Sequence, residues 1–117
     1  MDPNNSNFPS IAVNTPSGVV FLKVQDILYC KAAGSYTEVY LSGAGKNKVT
    51  IAKTLSRVQE ALIADKFIRI HNSYVINIYH LIRFDNADKN CVTMSDGASL
   101  NVSRGRKEEF LKKFNII

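Results

Sequence analysis

The stretch Phe67–Arg83 has the sequence FIRIHNSYVINIYHLIR, and it determines the fold that we predict for this chain. Apolar residues occupy most of its positions, a density too high for a surface loop, so the stretch must supply a large share of the core. The polar cluster His71-Asn72-Ser73 interrupts it. We therefore predict a strand that breaks at this cluster and resumes after a tight bend. A rigid scaffold presents polar side chains to a partner from such an anchored bend.

Strand-like runs of alternating or densely apolar residues lie on both sides of this stretch. On the amino-terminal side we predict a hairpin around Asn14–Gly18, a central strand over Asp26–Cys30, a loop or bulge at Lys31–Tyr36, a strand over Thr37–Leu41, a hairpin connection at Ser42–Asn47 and a return strand over Lys48–Ala52. On the carboxyl-terminal side we predict strands over Ile82–Phe84, Cys91–Met94 and Ser99–Val102.

Two segments change to a helical period. Leu55, Val58 and Leu62 are spaced by three and then four residues, and Thr54 precedes them as an N-cap. A second helix is predicted over residues 103–114, which also begin with a serine. The pattern predicts a mainly β protein of antiparallel sheets packed together, with two short helices and without β-α-β alternation.

Length and composition fit one globular domain. The chain has 117 residues, is 45% hydrophobic and has a mean hydropathy of −0.08, which favours an ordinary core over disorder. No apolar run is long enough to span a membrane, and the start MDPNNSNFPS lacks the basic-then-apolar order of a signal peptide. We expect a flexible tail or linker over residues 1–10, with Phe8 or Ile11 as the first packed residue, a domain over residues 11–117, and a cytoplasmic location.

Cys30 and Cys91 lie in apolar strand-like runs and lack the spacing of metal ligands. Small buried thiols are the simplest interpretation, and a disulfide or a redox sensor are the alternatives. The sequence therefore predicts no metal site and weakly favours a reducing compartment.

Positive charge dominates this chain. Lys and Arg number 15 against 10 Asp and Glu, which gives a net charge of +5 and a pI near 9.3. The bases prevail over residues 31–57 and 104–113, whereas Asp85, Asp88 and Asp96 lie between these segments. This distribution indicates a molecule with a basic and an acidic side, although a scatter of solvated charges would give similar counts. A basic side favours nucleic acid or another anionic surface as partner.

A series of short motifs runs along the chain: Asp26-Ile27-Leu28-Tyr29, Gly34-Ser35-Tyr36, the helix from Thr54, the string F-x-R-x-H-x-S-x-x-x-N over Phe67–Asn77, and Val102-Ser103-Arg104. In this order they resemble the LytTR (LytR/AlgR-type) DNA-binding domain of bacterial response regulators. The resemblance extends from about Ile11 to the carboxyl terminus. Its specific part is the long string followed by V-S-R.

The resemblance implies a transcription-regulator module of packed β-sheets without a helix-turn-helix. Its loops would enter successive major grooves, often bending the duplex, and it would bind direct repeats of double-stranded DNA as a homodimer. Most such domains follow a receiver domain that a sensor kinase controls. The module uses up the 117 residues present, so we expect either an excised domain or a stand-alone protein. No cofactor and no membrane partner is implied.

By the same resemblance, three places contact bases. The candidates are Ser35, Tyr36 and Thr37 in the loop after Gly34, then Asn72, and Arg104 at a strand-to-helix junction. Tyr36 has a core position as its alternative. Many relatives have a basic residue where Asn72 stands, so an amide replaces a charge there. The Arg104 guanidinium can bond guanine O6 and N7 as a fork, worth about 1–3 kcal/mol of discrimination.

Contacts to the DNA backbone require basic side chains, hydroxyls and helix amino termini. The candidates are Lys31, Lys53, Arg69, His71, Ser73, Arg106 and Lys107. The alternative for Arg69 is an ion pair with a carboxylate inside the sheet. The alternative for His71 is a structural role in which it holds the bend. Bases in the first turn of the last helix oppose its dipole, a cost that a docked phosphate would offset.

We predict no enzymatic activity. His71 and Ser73 lack an Asp placed to orient the ring, and the isolated His80 fits a hydrogen-bonded structural histidine. The chain has no glycine-rich phosphate loop, Cys/His cluster or paired carboxylates. The alternative to DNA readout is a basic β-domain that binds protein or a small ligand such as a cyclic nucleotide. That alternative leaves Arg104 without a specific role.

Overall fold

A computed structural model describes residues 9–43, 47–87 and 89–117. Along the chain it contains β1 (Ser10–Thr15), β2 (Gly18–Lys23), β3 (Ile27–Ala33), β4 (Tyr36–Leu41), β5 (Asn47–Ile51), α1 (Leu55–Ala61), β6 (Phe67–His71), β7 (Tyr74–Asn77), β8 (Leu81–Asp85), β9 (Cys91–Met94), β10 (Ser99–Asn101) and α2 (Arg104–Leu111). The strands form three antiparallel sheets: β1-β2, β10-β9-β8 and β5-β4-β3-β7-β6. The predicted fold class is confirmed.

The five-stranded sheet is the middle layer, and β3 is its central strand. Lys31 on β3 lies opposite Glu38 on β4 and Tyr74 on β7. The Asp26–Cys30 run was predicted to form a central strand. This prediction is confirmed for the part of the run that lies in β3. Because β6 to β10 separate the two α-helices in sequence, α1 and α2 do not form a helix-turn-helix.

Each face of this sheet carries its own core. On one face the β1-β2 hairpin and α1 cover the sheet, and Leu22 and Val58 pack with Cys30. On the other face the three-stranded sheet and α2 cover it, and Met94 and Phe110 pack with central residues such as Ile70. Burying apolar surface on both faces explains why consecutive residues such as Phe67 and Ile68 on β6, or Val75 and Ile76 on β7, are all apolar and buried, since neither face of these strands lies fully open to water.

The structure differs from the sequence prediction at several points. The second helix, predicted over residues 103–114, ends at Leu111. The run Asp26–Cys30, predicted as a central strand, begins inside a 3-10 helix, Val24–Asp26, and becomes strand only from Ile27. The segment predicted as a loop or bulge at Lys31–Tyr36 is mostly strand, because Gly34 takes a φ of 64° and closes a two-residue turn. A second interruption, the 3-10 helix Ile78–His80, divides the organising stretch again.

The cysteines and the amino terminus match the predictions in part. Both thiols are free; Cys30 is fully buried, whereas Cys91 is only half-buried. Burial raises the pKa of Cys30 to about 12. β1 begins at Ser10, inside the predicted tail, and the Val24 N–H donates to the Pro9 carbonyl. The expectations for residues 1–8, for 44–46 in the hairpin connection and for Asp88 fall outside the described residues.

Candidate nucleic-acid interface

The predicted contact residues converge on one end of the five-stranded sheet. The Ala32 N–H, next to the β3–β4 turn, donates to the Ser73 carbonyl over 2.9 Å. The Ser103 N–H, at the start of α2, donates to the Ile70 carbonyl over 2.8 Å. The Thr37 hydroxyl donates to the Lys53 carbonyl, just before α1, over 2.8 Å. We call this end the polar edge: the Gly34-Ser35 turn, the His71–Ser73 bend and the first residues of both helices.

The bend between β6 and β7 is held by two side chains of β6. His71 Nδ1 accepts a hydrogen bond from the Ser73 N–H over 3.0 Å. Arg69 donates from Nε to the His71 carbonyl at 2.8 Å and from Nη2 to the Asn72 carbonyl at 2.7 Å. These bonds hold the bend at its two carbonyls and its last amide, so the Asn72 side chain is presented to solvent from a fixed backbone.

Arg69 also connects the bend to α1. Its Nη1 donates to Gln59 Oε1 at 3.0 Å and lies 3.4 Å from Ser56 Oγ. All of its acceptors are uncharged, so the ion pair considered from the sequence is absent from the described part of the chain. Sequence reasoning missed the role of Ser56 and Gln59. Their polar positions on a short helix carry no signal that points to β6.

The β3–β4 turn presents Ser35 and Tyr36. Ser35 is exposed, and Tyr36 is 51% exposed, so its alternative core position is excluded. Thr37, by contrast, is fully buried, and its hydroxyl bonds to Lys53. This burial removes Thr37 from the surface that a base could reach.

Lys31 lies on β3 beside this turn, opposite Glu38. Glu38 already accepts from Lys48 Nζ at 3.0 Å and from the Tyr40 hydroxyl, and the Lys48 bond holds the pKa of Glu38 below its ordinary value. The half-buried Lys31 is therefore left to interact with an external anion.

The two helix amino termini at the polar edge differ. Thr54 caps α1 by accepting from the Arg57 N–H at 3.4 Å, as predicted, and Lys53 before it is exposed. Ser103 occupies the N-cap position of α2, but its side chain forms no cap hydrogen bond.

The bases in the first turn of α2 have different surroundings. Arg104 is exposed. Lys107 is half-buried, with Nζ 5.9 Å from the centre of the Phe84 ring. Arg106 is half-buried and lies close enough to Arg69 to lower the pKa of that guanidinium, after the larger effect of burial.

The aspartates Asp85 and Asp96 lie away from the polar edge. Asp96, in the β9–β10 turn, lies beside Tyr29 at the start of β3, whereas the polar edge is at the end of β3. Burial, and then the Asp96 charge, raise the pKa of Tyr29 to about 12. Asp85 pairs with Arg83 on β8 at 3.4 Å. The polar edge thus combines exposed amide and guanidinium groups with a local excess of cations, which favours the phosphate backbone as partner.

Within residues 9–43, 47–87 and 89–117, no three His, Cys, Asp or Glu side chains are grouped so as to hold a metal ion. No helix there is long and apolar enough to cross a membrane. The described part of the chain is thus a layered antiparallel β-domain with a cation-rich polar edge and without a helix-turn-helix, an arrangement suited to an anionic partner such as nucleic acid.

Comparison with known proteins agrees with this interpretation. Residues 17–115 match the family model of the LytTr DNA-binding domain. The chain is 26% identical over 109 residues to the sensory transduction protein LytT of Bacillus subtilis; the match covers 91% of this chain but 44% of that protein, so the chain spans less than half of its relative. The fold matches the LytTr DNA-binding domain of a methyl-accepting/DNA response regulator from Bacillus cereus with a TM-score of 0.75 and 22% identity, over 92% of this chain and 97% of that one.

The chain belongs to the LytTR family of DNA-binding domains, as the sequence motifs predicted. Its general activity is therefore DNA binding, the activity by which the family is described.

Proposed function

We propose that the polar edge recognises a specific sequence of double-stranded DNA in the major groove. The observation that carries the proposal is the bond between the Ser103 N–H and the Ile70 carbonyl, because it fixes the start of α2 beside the bend. Exposed Arg104 and exposed Asn72 are thereby held on neighbouring backbone segments. Two such groups, rigidly spaced, are suited to reading base edges.

Each contact group has a distinct role in this proposal. Arg104 bonds guanine O6 and N7 as a fork, and the Asn72 amide bonds a base edge as donor and acceptor. Ser35 and Tyr36 contact an adjacent part of the site, whereas buried Thr37 takes no part. Lys31, Lys53 and Lys107 bind backbone phosphates, with His71 and Ser73 beside them at the bend.

Two further features complete the proposal. The module is the output domain of a two-component response regulator in the cytoplasm, controlled by a receiver domain and its sensor kinase. Two copies bind direct repeats as a homodimer on DNA, and repeats spaced by about one helical turn, ~10 base pairs, would place both copies on the same face of the duplex.

Selection of bound sequences from a random duplex pool tests base readout. We expect the wild type to enrich a short motif, often in two copies, and Arg104→Ala to relax one position of it by about 1–3 kcal/mol. Lys66→Ala is the matched control, since it removes one exposed charge at the other end of β6. It should keep the motif. Binding without any enriched motif, lost uniformly with salt, would refute base readout and favour the basic interaction domain.

A further inference from the structure

The groove between α1 and α2 contains two arginines whose charges are not balanced. Arg69 enters it from β6 and Arg106 from the first turn of α2. Arg69 already donates to the His71 and Asn72 carbonyls and to Gln59 Oε1. These acceptors fix the position of its guanidinium, yet none of them carries a negative charge. Arg69 therefore keeps its full charge at a half-buried position.

Arg106 adds a second charge to the same groove. It is half-buried, and among the described residues its side chain forms no ion pair and no hydrogen bond. The pKa of Arg69 lies below its ordinary value because of burial and then because of Arg106. Glu109 lines the groove but is not within ion-pair distance of either guanidinium. Two like charges facing each other with reduced hydration destabilise the free protein.

The groove is open and of suitable size for a small anion. Its volume is about 280 Å³, its floor includes Leu62 and Phe67, and Lys113 adds a third base at its rim. Guanidinium groups match phosphate geometry through paired N–H donors. Arg106 has all of its side-chain donors available, and a phosphate between the arginines would offset their mutual repulsion without moving the bend.

We propose that Arg69 and Arg106 form a phosphate site in the groove between α1 and α2, occupied in the complex by a phosphate of the DNA backbone. The inference rests on the proposed function for its source of phosphate, since a free phosphomonoester has the same chemistry. Within the site the two arginines differ. Arg106 supplies charge and N–H donors but does not contact the bend, whereas Arg69 is a positioning residue that joins the bound phosphate to the carbonyls of the bend that presents Asn72.

This difference gives a double test. Arg106→Gln removes a charge and leaves the bend intact, so DNA affinity should depend less steeply on salt, with a slope reduced by about one, while the enriched motif stays the same. Arg69→Lys keeps the charge but loses the paired N–H donors of the guanidinium. The salt slope of DNA binding should therefore be unchanged, whereas the preference for one base at the position facing Asn72 should weaken. Lys112→Gln removes a charge at the C-cap of α2, outside the groove, and is the control; unlike Arg106, Lys112 forms an ion pair with Glu108 at 3.6 Å.

The source of the phosphate is tested without DNA. Thermal midpoints are compared in sodium phosphate and sodium chloride at equal ionic strength, for the wild type and for Arg106→Gln. The site is assigned to the DNA backbone if Arg106→Gln changes the salt slope of DNA binding while sodium phosphate gives the wild type no higher thermal midpoint than sodium chloride. This is the result we expect. If sodium phosphate raises the thermal midpoint of the wild type and Arg106→Gln abolishes this increase, the site is assigned to a free phosphomonoester.

The proposal is overturned if Arg106→Gln behaves like Lys112→Gln in both measurements. This outcome is distinct from failure of base readout, because the salt slope can be measured on any duplex, whether or not the wild type enriches a motif. Arg106→Gln is not expected to impair folding, since removing one of two facing charges should leave the thermal midpoint of the free protein unchanged or raise it.

Discussion

The stretch Phe67–Arg83 is interrupted twice, and the two interruptions share some features but have different surroundings. The first is the bend His71–Ser73 between β6 and β7, and the second is the 3-10 helix Ile78–His80 between β7 and β8. Each spans three residues and contains a histidine whose ring forms hydrogen bonds. Each also exposes its middle residue, Asn72 in the first and Tyr79 in the second.

The second interruption directs its polar groups into the protein. Asn77 is 1% exposed, and its Nδ2 donates to the Val24 and Ile27 carbonyls at 3.0 and 2.8 Å. His80, which the sequence indicated as a hydrogen-bonded histidine, has both ring nitrogens bonded, to Ser95 Oγ and to the Gln25 carbonyl. This interruption therefore joins the five-stranded sheet to the three-stranded sheet and to the 3-10 helix before β3.

The first interruption directs its polar groups outward and lies among cations. The comparison shows that a hydrogen-bonded histidine at an interruption of an apolar stretch is not by itself a functional signal. The destination of the hydrogen bonds distinguishes the two cases, because bonds to distant buried carbonyls stabilise the fold, whereas bonds within the bend leave side chains available to a partner.

The largest effect we expect at either interruption is on stability, from Asn77→Ala. The substitution leaves the Val24 and Ile27 carbonyls without their buried donor and removes the acceptor for the Tyr79 N–H. We expect a loss of about 3 kcal/mol in the free energy of unfolding, measured by chemical denaturation. Asn101→Ala, at an exposed position of β10, should change it by less than about 0.5 kcal/mol. Equal losses from the two variants would contradict the architectural role of the second interruption.

The next largest effect is expected on DNA affinity. It is tested by substituting the exposed middle residue of each interruption. Asn72→Ala should weaken binding to the selected site by about 1–2 kcal/mol, since one base contact is lost, with unfolding unchanged. Tyr79→Ala is the matched variant: Tyr79 is 75% exposed and contacts the edge of the His80 ring. It should leave DNA affinity at the wild-type value. If both variants weakened binding alike, the two interruptions would not differ in function.

Local patterns predicted much of this fold, because they depend on neighbours in sequence. The three-then-four spacing after Thr54 predicted α1 and its cap, and polar residues in an apolar stretch predicted the bend. The interruption at Ile78–His80 was not predictable in this way. Ile78 and Tyr79 continue the apolar pattern of their neighbours, and the interruption is fixed by bonds from Asn77 to carbonyls 50 and 53 residues away in sequence.

The same limit applies to the polar edge. The motifs predicted Asn72 and Arg104 as base contacts, and both side chains are exposed at the polar edge. Thr37 lies in the same loop motif, but its burial depends on the Lys53 carbonyl, 16 residues away. The contact between Arg69 and α1 likewise arises from packing between elements that the sequence places in separate segments. Long-range contacts decide which members of a motif reach the surface.

The smallest effect we expect comes from His71→Ala, which tests whether the bend must be rigid. Loss of Nδ1 leaves the half-buried Ser73 N–H without its acceptor, which should lower the free energy of unfolding by about 1 kcal/mol. DNA affinity should fall as well, because Asn72 is then presented from a looser backbone.

His71→Asn provides the rescue, since an asparagine side chain can accept from the N–H two residues on, as in an Asx-turn. Unfolding by denaturant and binding to the selected site are measured for both variants. Recovery of both quantities in His71→Asn would assign His71 to the geometry of the bend. Stability recovered without affinity would instead show that the imidazole itself contacts DNA, the alternative role considered from the sequence.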